Sequence, residues 1–159
     1  MDIIRQITGE IESVEGVKLL DVDPGKATHR TVVTFVGEPA AVVEAAFLAV
    51  RKAGELIDMR KHSGEHPRFG ATDVCPLVPV TGISMEETVA WARKLAERIG
   101  NEIGIPVYCY EHAAFKDERR NLATVRAGEY EGLKEKLADE AWAPDFGKAK
   151  FVPQTGAIA

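Results

Sequence analysis

The apolar positions change their period several times along the chain, and each change marks an element. Ile3, Ile4, Ile7, Ile11 and Val14 recur at helical spacing, which predicts an amphipathic helix over residues 2–14. Gly9 weakens that helix by about 1 kcal/mol relative to alanine, and Gly16 supplies a stop. Val17 to Asp23 reads as a strand, with Pro24-Gly25 as the turn that ends it. Thr31 to Val36 is β-branched and aromatic and predicts a second strand. The short polar link between the two makes an antiparallel pair the simplest arrangement. Pro39 then stands where a first helical residue is favoured. The Ala- and Val-rich run to Ile57 predicts a helix with Val43, Ala46, Phe47 and Val50 on its packed side.

Beyond a long irregular stretch, Val74 to Val80 reads as a strand that Pro76 and Pro79 confine to an edge or a bulge. Ser84-Met85-Glu86-Glu87 matches a capping box. It opens a helix to about Gly104, with Val89, Ala92, Leu95, Ala96 and Ile99 facing inward. Ile105 to Tyr110 predicts another strand. Glu111 to Arg120 is polar and partly helical, Glu129 to Leu137 predicts a short helix, and Lys148 to Ala159 has no clear period. The order helix, strand, strand, helix, strand, helix, strand is an α+β pattern. It equals a ferredoxin-like βαββαβ sandwich less its first strand. The edge left without that strand is expected to invite dimerisation.

Composition narrows the class. The chain of 159 residues is long enough for one domain with a proper core. Its 45% apolar and 28% charged residues are ordinary for a globular protein. A formal charge of −5 argues against a nucleic-acid binder, which usually shows a basic face. No apolar run approaches the roughly 20 residues of a membrane span, and no basic-then-apolar leader opens the chain. Cys75 and Cys109 form neither a CxxC nor a disulfide framework. A reducing cytoplasm is the expected setting.

The ionisable chemistry concentrates in residues 59–73, Met-Arg-Lys-His-Ser-Gly-Glu-His-Pro-Arg-Phe-Gly-Ala-Thr-Asp. Gly64, Pro67 and Gly70 exclude a continuous helix or strand there. His62-Ser63-Gly64-Glu65-His66 spells H-x-x-E-H, a zinc-peptidase pattern that works only on a helix. Gly64 and Pro67 argue against that helix, so a zinc hydrolase using His62 and His66 is the weaker reading and no metal is expected. His66 suits a general acid and base instead. Neighbouring Arg60, Lys61 and Arg68 favour its neutral form, which accepts a proton. The same cations suit an acidic substrate, Arg68 through a bidentate fork and Lys61 as a point charge. The plain alternative for His66 is a loop histidine bonded to backbone. His29 either lines a site or is solvated, and His112 is structural or exposed. Asp23 either projects a carboxylate into a cleft or caps a turn. Cys75 and Cys109 read as inert small hydrophobes unless access and a low pKa activate one.

Several segments together resemble a known family. They are Leu20-Asp21-Val22-Asp23, Arg30-Thr31-Val32 with Thr34-Phe35-Val36-Gly37, and Leu56-Ile57-Asp58-Met59. Next come Gly64-Glu65-His66-Pro67-Arg68, Asp73-Val74-Cys75-Pro76 and Ile105-Pro106-Val107-Tyr108. Arg126-Ala127-Gly128-Glu129-Tyr130-Glu131 and Trp142-Ala143-Pro144-Asp145-Phe146-Gly147 complete the set. They resemble the N-terminal subdomain of glutamate formiminotransferase over about residues 12–156. The resemblance implies transfer of a formimino group from N-formimino-L-glutamate to N5 of tetrahydrofolate. It places His66 as the catalytic histidine, with Asp23 and Arg68 beside it. It implies a folate-contacting segment of Gly147, Lys148, Ala149, Lys150, Phe151, Val152, Pro153, Gln154, Thr155 and Gly156. Residues 1–146 would then be the α/β core and 147–159 the folate-segment tail of one domain. Thr155 stands where the family often has an aromatic residue. The partners implied are a homodimer mate or a C-terminal formiminotransferase subdomain. The alternative class is a non-catalytic folate-binding or interaction module, such as an isolated subdomain.

Overall fold

A computed structural model describes residues 2–62 and 67–159 of the chain. Helix α1 spans Asp2–Glu12, slightly shorter than its apolar spacing predicts. Gly16 follows with φ of 88°, a conformation that glycine adopts without strain. Ile11 is buried to 1% exposure while Ile3 is exposed, so the inward stripe deepens toward the C-terminal end.

Strands β1 (Val17–Gly25) and β2 (Arg30–Gly37) form an antiparallel hairpin. Leu19 pairs with Phe35 and Asp21 with Thr34, so Leu20 is a bulge. The extra residue shifts the side-chain parity. Val17 and Leu19 are half-buried before it, Val22 after it, and Leu20 is exposed. Pairing continues through Pro24 and Gly25, and the turn lies over Lys26 to His29, not at Pro24-Gly25 as the sequence predicts. A proline is tolerated there because the end of an edge strand needs no further ladder bond.

Helix α2 (Pro39–Leu56) begins with Pro39 and buries Val43, Ala46, Phe47 and Val50. These pack with Leu95, Ala96 and Ile99. Helix α3 (Met85–Arg98) opens on the capping box: the Ser84 hydroxyl accepts from the Glu87 amide at 3.0 Å, and Glu87 accepts from the Ser84 amide at 3.3 Å. One wider turn, Ile99–Ile103, extends it to Gly104, whose φ is 82°. The predicted end near Gly104 therefore holds.

Val74 to Val80 and Ile105 to Tyr110 do not form the ladders predicted for them. Among the described residues only β1 and β2 make a sheet. Isolated bridges join Gly70 to Gly156, Asp73 to Ile158, and Val107 to both Phe146 and Ile158, and none falls within residues 74–80. Pro76, Pro79 and Pro106 remove the donors that would extend these contacts. The C-terminal residues fill the space between the two segments. The Ile158 amide donates to Pro106 at 3.0 Å and its carbonyl accepts from Tyr108 at 2.9 Å. On the other side, Ala159 donates to Asp73 at 3.0 Å, and Ala157 donates to Phe69 at 2.9 Å. Ala157 and Ile158 are 1% and 2% exposed, so the end of the aperiodic tail is core.

Glu111 to Arg120 holds two short 3-10 turns, Glu111–Ala113 and Asp117–Arg119. Helices α4 (Leu122–Val125) and α5 (Leu133–Ala138) follow. Helix α5 starts later than predicted because Gly128 and Glu129 have positive φ, 87° and 54°. A second cluster joins Leu133 and Leu137 to Phe69, Tyr108, Val125 and Ala157. Beside it, Arg119, 1% exposed, donates to Asp145 at 3.0 Å and to the Ala141 carbonyl at 3.1 Å. Asp145 also accepts from the Cys109 amide at 2.7 Å, so the Trp142 to Gly147 motif is structural at that residue. The architecture is mixed α and β, and among the described residues no helix is long and apolar enough to cross a membrane.

Candidate functional site

The irregular stretch after α2 is fixed at both ends. Asp58 caps a 3-10 turn, Met59–Lys61, by accepting from the Arg60 amide at 3.1 Å. The Arg60 side chain returns to the same carboxylate at 2.8 and 2.6 Å. This hydrogen-bonded guanidinium holds the Asp58 carboxyl down to about 2. Met59 is buried and its amide donates to the Gln154 carbonyl at 2.8 Å. Gln154 in turn donates from its side chain to the Gly54 carbonyl of α2 at 2.8 Å. The turn is thereby stitched to the C-terminal segment.

At the far end, Arg68 forks onto Glu131 with contacts of 3.0 and 2.8 Å, and also donates to the His62 carbonyl at 3.0 Å. Glu129 adds an ion pair at 3.7 Å. The fork raises the Arg68 pKa and lowers that of Glu131. The bidentate capacity predicted for a substrate carboxylate is thus engaged by the protein's own Glu131. Tyr130 lies between: its amide donates to the Arg68 carbonyl at 2.9 Å and its hydroxyl to the Pro153 carbonyl at 2.5 Å. Asp73, at φ of 70°, accepts from the Phe69 amide at 3.0 Å and pairs with Arg126 at 2.7 Å. Burial raises the Asp73 pKa against the opposing pull of that amide and Arg126.

The predicted site residues divide three ways. His66 lies outside the described residues. Arg68 is half-buried in the cluster above. Asp23 is exposed on β1, across the ladder from Val32. In the C-terminal segment, Lys148, Ala149 and Lys150 are exposed, while Phe151 and Val152 are half-buried. Phe151 packs on Tyr130 with ring centroids 5.6 Å apart. Pro153, Gln154 and Thr155 run along the loop and the end of α2. Gly147 and Gly156 take φ of 82° and 64°; a side chain at Gly156 would meet the Phe69 carbonyl at 2.2 Å.

His29 reaches the site from the hairpin turn, with its Nε2 2.7 Å from Nδ1 of His62. The cysteines do not supply a nucleophile. Burial pushes Cys75 up to about 11 and Cys109 up to about 12. Both line an apolar cavity of about 250 Å³ between α3 and residues 75–79. Residue-type reasoning missed Glu131, Tyr130 and Arg126 as partners of the loop. Their only signal is the unusual Arg126 to Glu131 motif, which spacing alone cannot pair with Arg68 or Asp73.

A family model described as formiminotransferase domain, N-terminal subdomain, matches residues 1–159. The chain is 54% identical over 155 residues to a formimidoyltransferase-cyclodeaminase of Dictyostelium discoideum, covering 98% of this chain and 29% of the relative. It is 48% identical over 157 residues to a glutamate formimidoyltransferase of Streptococcus pyogenes serotype M1, covering 99% of this chain and 52% of the relative. A glutamate formimidoyltransferase of Thermoplasma acidophilum is 47% identical over 148 residues, 92% of this chain and 49% of that protein. The chain therefore spans about half the length of the glutamate formimidoyltransferases and under a third of the cyclodeaminase relative.

Proposed function

Because the chain belongs to the formiminotransferase N-terminal subdomain family, we propose that it is the N-terminal catalytic half of a glutamate formimidoyltransferase with a ferredoxin-like sandwich. Its donor is N-formimino-L-glutamate and its acceptor is N5 of tetrahydrofolate. No metal takes part. The second half comes from a C-terminal subdomain or from self-association into a homodimer. The expected setting is the reducing cytoplasm, in keeping with two free thiols.

One observation carries the proposal. The loop that bears His66 and the segment 147–156 are far apart in sequence, yet they are bound together. The Met59 amide meets the Gln154 carbonyl at 2.8 Å, and Tyr130 spans from Arg68 to Pro153. A formimino donor held by the loop would lie beside a folate held by the segment. In this scheme N5 attacks the formimino carbon and gives a tetrahedral intermediate. His66 takes the proton from N5 and returns it to the glutamate nitrogen as the carbon–nitrogen bond breaks. Arg68, anchored by Glu131, fixes the loop two residues beyond His66. Exposed Lys61, Lys148 and Lys150 supply charge for the carboxylates of both substrates. Asp23, at the exposed face of the hairpin, stabilises the charged form of His66.

The test is formation of 5-formimino-tetrahydrofolate by the purified chain, alone and with a relative's second half added. Turnover with the second half, abolished by His66→Ala, is the expected result. No turnover with that half present, or full turnover in His66→Ala, overturns the proposal and leaves a non-catalytic folate-binding or interaction module. An Asp23→Asn variant of full activity removes Asp23 alone from the scheme.

A further inference from the structure

Two backbone carbonyls flank residues 63–66, and an arginine side chain holds each. On one side Arg68 donates to the His62 carbonyl at 3.0 Å and is itself held by Glu131. On the other side Arg126 donates to the Pro67 carbonyl at 3.2 Å and is itself paired with Asp73 at 2.7 Å. Formimino transfer as proposed uses Arg68 and assigns no task to Arg126 or Asp73. A single nitrogen of Arg126, Nη1, reaches both of its acceptors. The two side chains are only 14% and 16% exposed, so water competes poorly for either. The other oxygen of Asp73 accepts from the Phe69 amide at 3.0 Å, so one carboxylate closes residues 69–73 and orients the arginine.

The base behind Arg126 is tied down as well. Arg126 follows α4 directly, and Asn121 caps that helix by accepting from the Ala123 and Thr124 amides. Lys136 donates to the carbonyls of Thr124, Val125 and Ala127. An ammonium has three hydrogens, so every donor of Lys136 is spent on the turn that presents Arg126. We propose that Arg126, oriented by Asp73, is a positioning residue for His66: it fixes the carbonyl of the next residue and so sets where the ring stands. The inference rests on the reading of His66 as the acid and base of the transfer. Proline's ring locks φ, and the residue ahead of a proline is confined to extended angles. Little rotational freedom therefore separates the clamp from the histidine. Such placement matters because a shift of about 1 Å in a reacting group can cost about 100-fold in rate.

The test compares Arg126→Met with a double variant, Arg126→Met plus Asp73→Asn. The single variant leaves a part-buried carboxylate without its counter-ion. The double variant removes both charges. Asparagine tolerates the φ of 70° at position 73, and its side-chain oxygen still accepts from the Phe69 amide. With a relative's second half added, the double variant is expected to lose kcat by at least about tenfold while KM for both substrates stays within about twofold. NMR of the chain alone gives a second readout. The His66 ring resonance, identified by its loss in His66→Ala, is expected to move in the double variant while that of His112 stays. Full kcat, a loss confined to KM, or an unmoved His66 resonance overturns the proposal. Loss of the folded state in the double variant overturns it too, because the pair would then hold the fold and not the histidine. Where the natural sequence itself fails to turn over, the function proposed above fails, and the His66 resonance alone decides whether the clamp exists.

Discussion

At the scale of single residues, the described part of the site is built from acids that hold bases in place. Arg60 and Arg68 read in sequence as two cations available to a substrate. In the structure one is folded onto Asp58 and the other onto Glu131. Such pairs do little for stability when exposed, but they fix side-chain geometry. Asp58 gives a direct check. Its carboxyl titrates at about 2 in the folded chain against an ordinary 3.8. A depressed folded value means the contribution is present above the unfolded pKa and fades as pH falls through about 2. Carboxyl carbon chemical shifts followed by NMR should show that low midpoint, and Arg60→Ala should return it toward 3.8. A midpoint unchanged by Arg60→Ala would mean that the fork is absent in solution.

At the scale of elements, local signals were sufficient wherever one residue type dictates a backbone state. The capping box starts α3, Pro39 starts α2, and Gly16 and Gly104 follow helix ends at positive φ. Ser84→Ala removes the hydroxyl that accepts from Glu87 and should lower stability by about 1 kcal/mol. Urea unfolding should show the lower midpoint with an unchanged slope; an unchanged midpoint would mean that the cap is energetically idle. The failures were strands. Residues 74–80 and 105–110 have apolar content suited to a sheet, but prolines interrupt their donors, and of these residues only Val107 makes isolated bridges. The Leu20 bulge was equally hidden, because one extra residue in a strand leaves no local mark.

At the scale of the whole molecule, the C-terminal residues lock the halves of the core together. Their entry depends on close backbone approach at two glycines. A Cβ at Gly70 would lie 1.7 Å from the Ala157 carbonyl oxygen, and one at Gly156 2.2 Å from that of Phe69. Neither neighbour is a flexible side-chain end, so the cost falls on the fold. Gly70→Ala should destabilise by at least about 3 kcal/mol. Hydrogen exchange should then rise together at Tyr108, Ala157 and Ile158, which share this junction. A variant as stable and as protected as the natural chain would show that the segment docks differently.

The sequence by itself determined the α+β class, the long helices and hairpin, and the family, because those depend on local period, caps and long residue-specific motifs. It also singled out residues 59–73, since glycine and proline among so many ionisable groups leave no regular element to form. Tertiary structure alone decided who meets whom. It paired Arg68 with Glu131, His29 with His62 and Asp145 with Arg119, and it turned the end of an aperiodic tail into core. Those contacts join residues tens of positions apart, and their energy depends on burial and angle. Neither quantity exists until the chain has closed on itself.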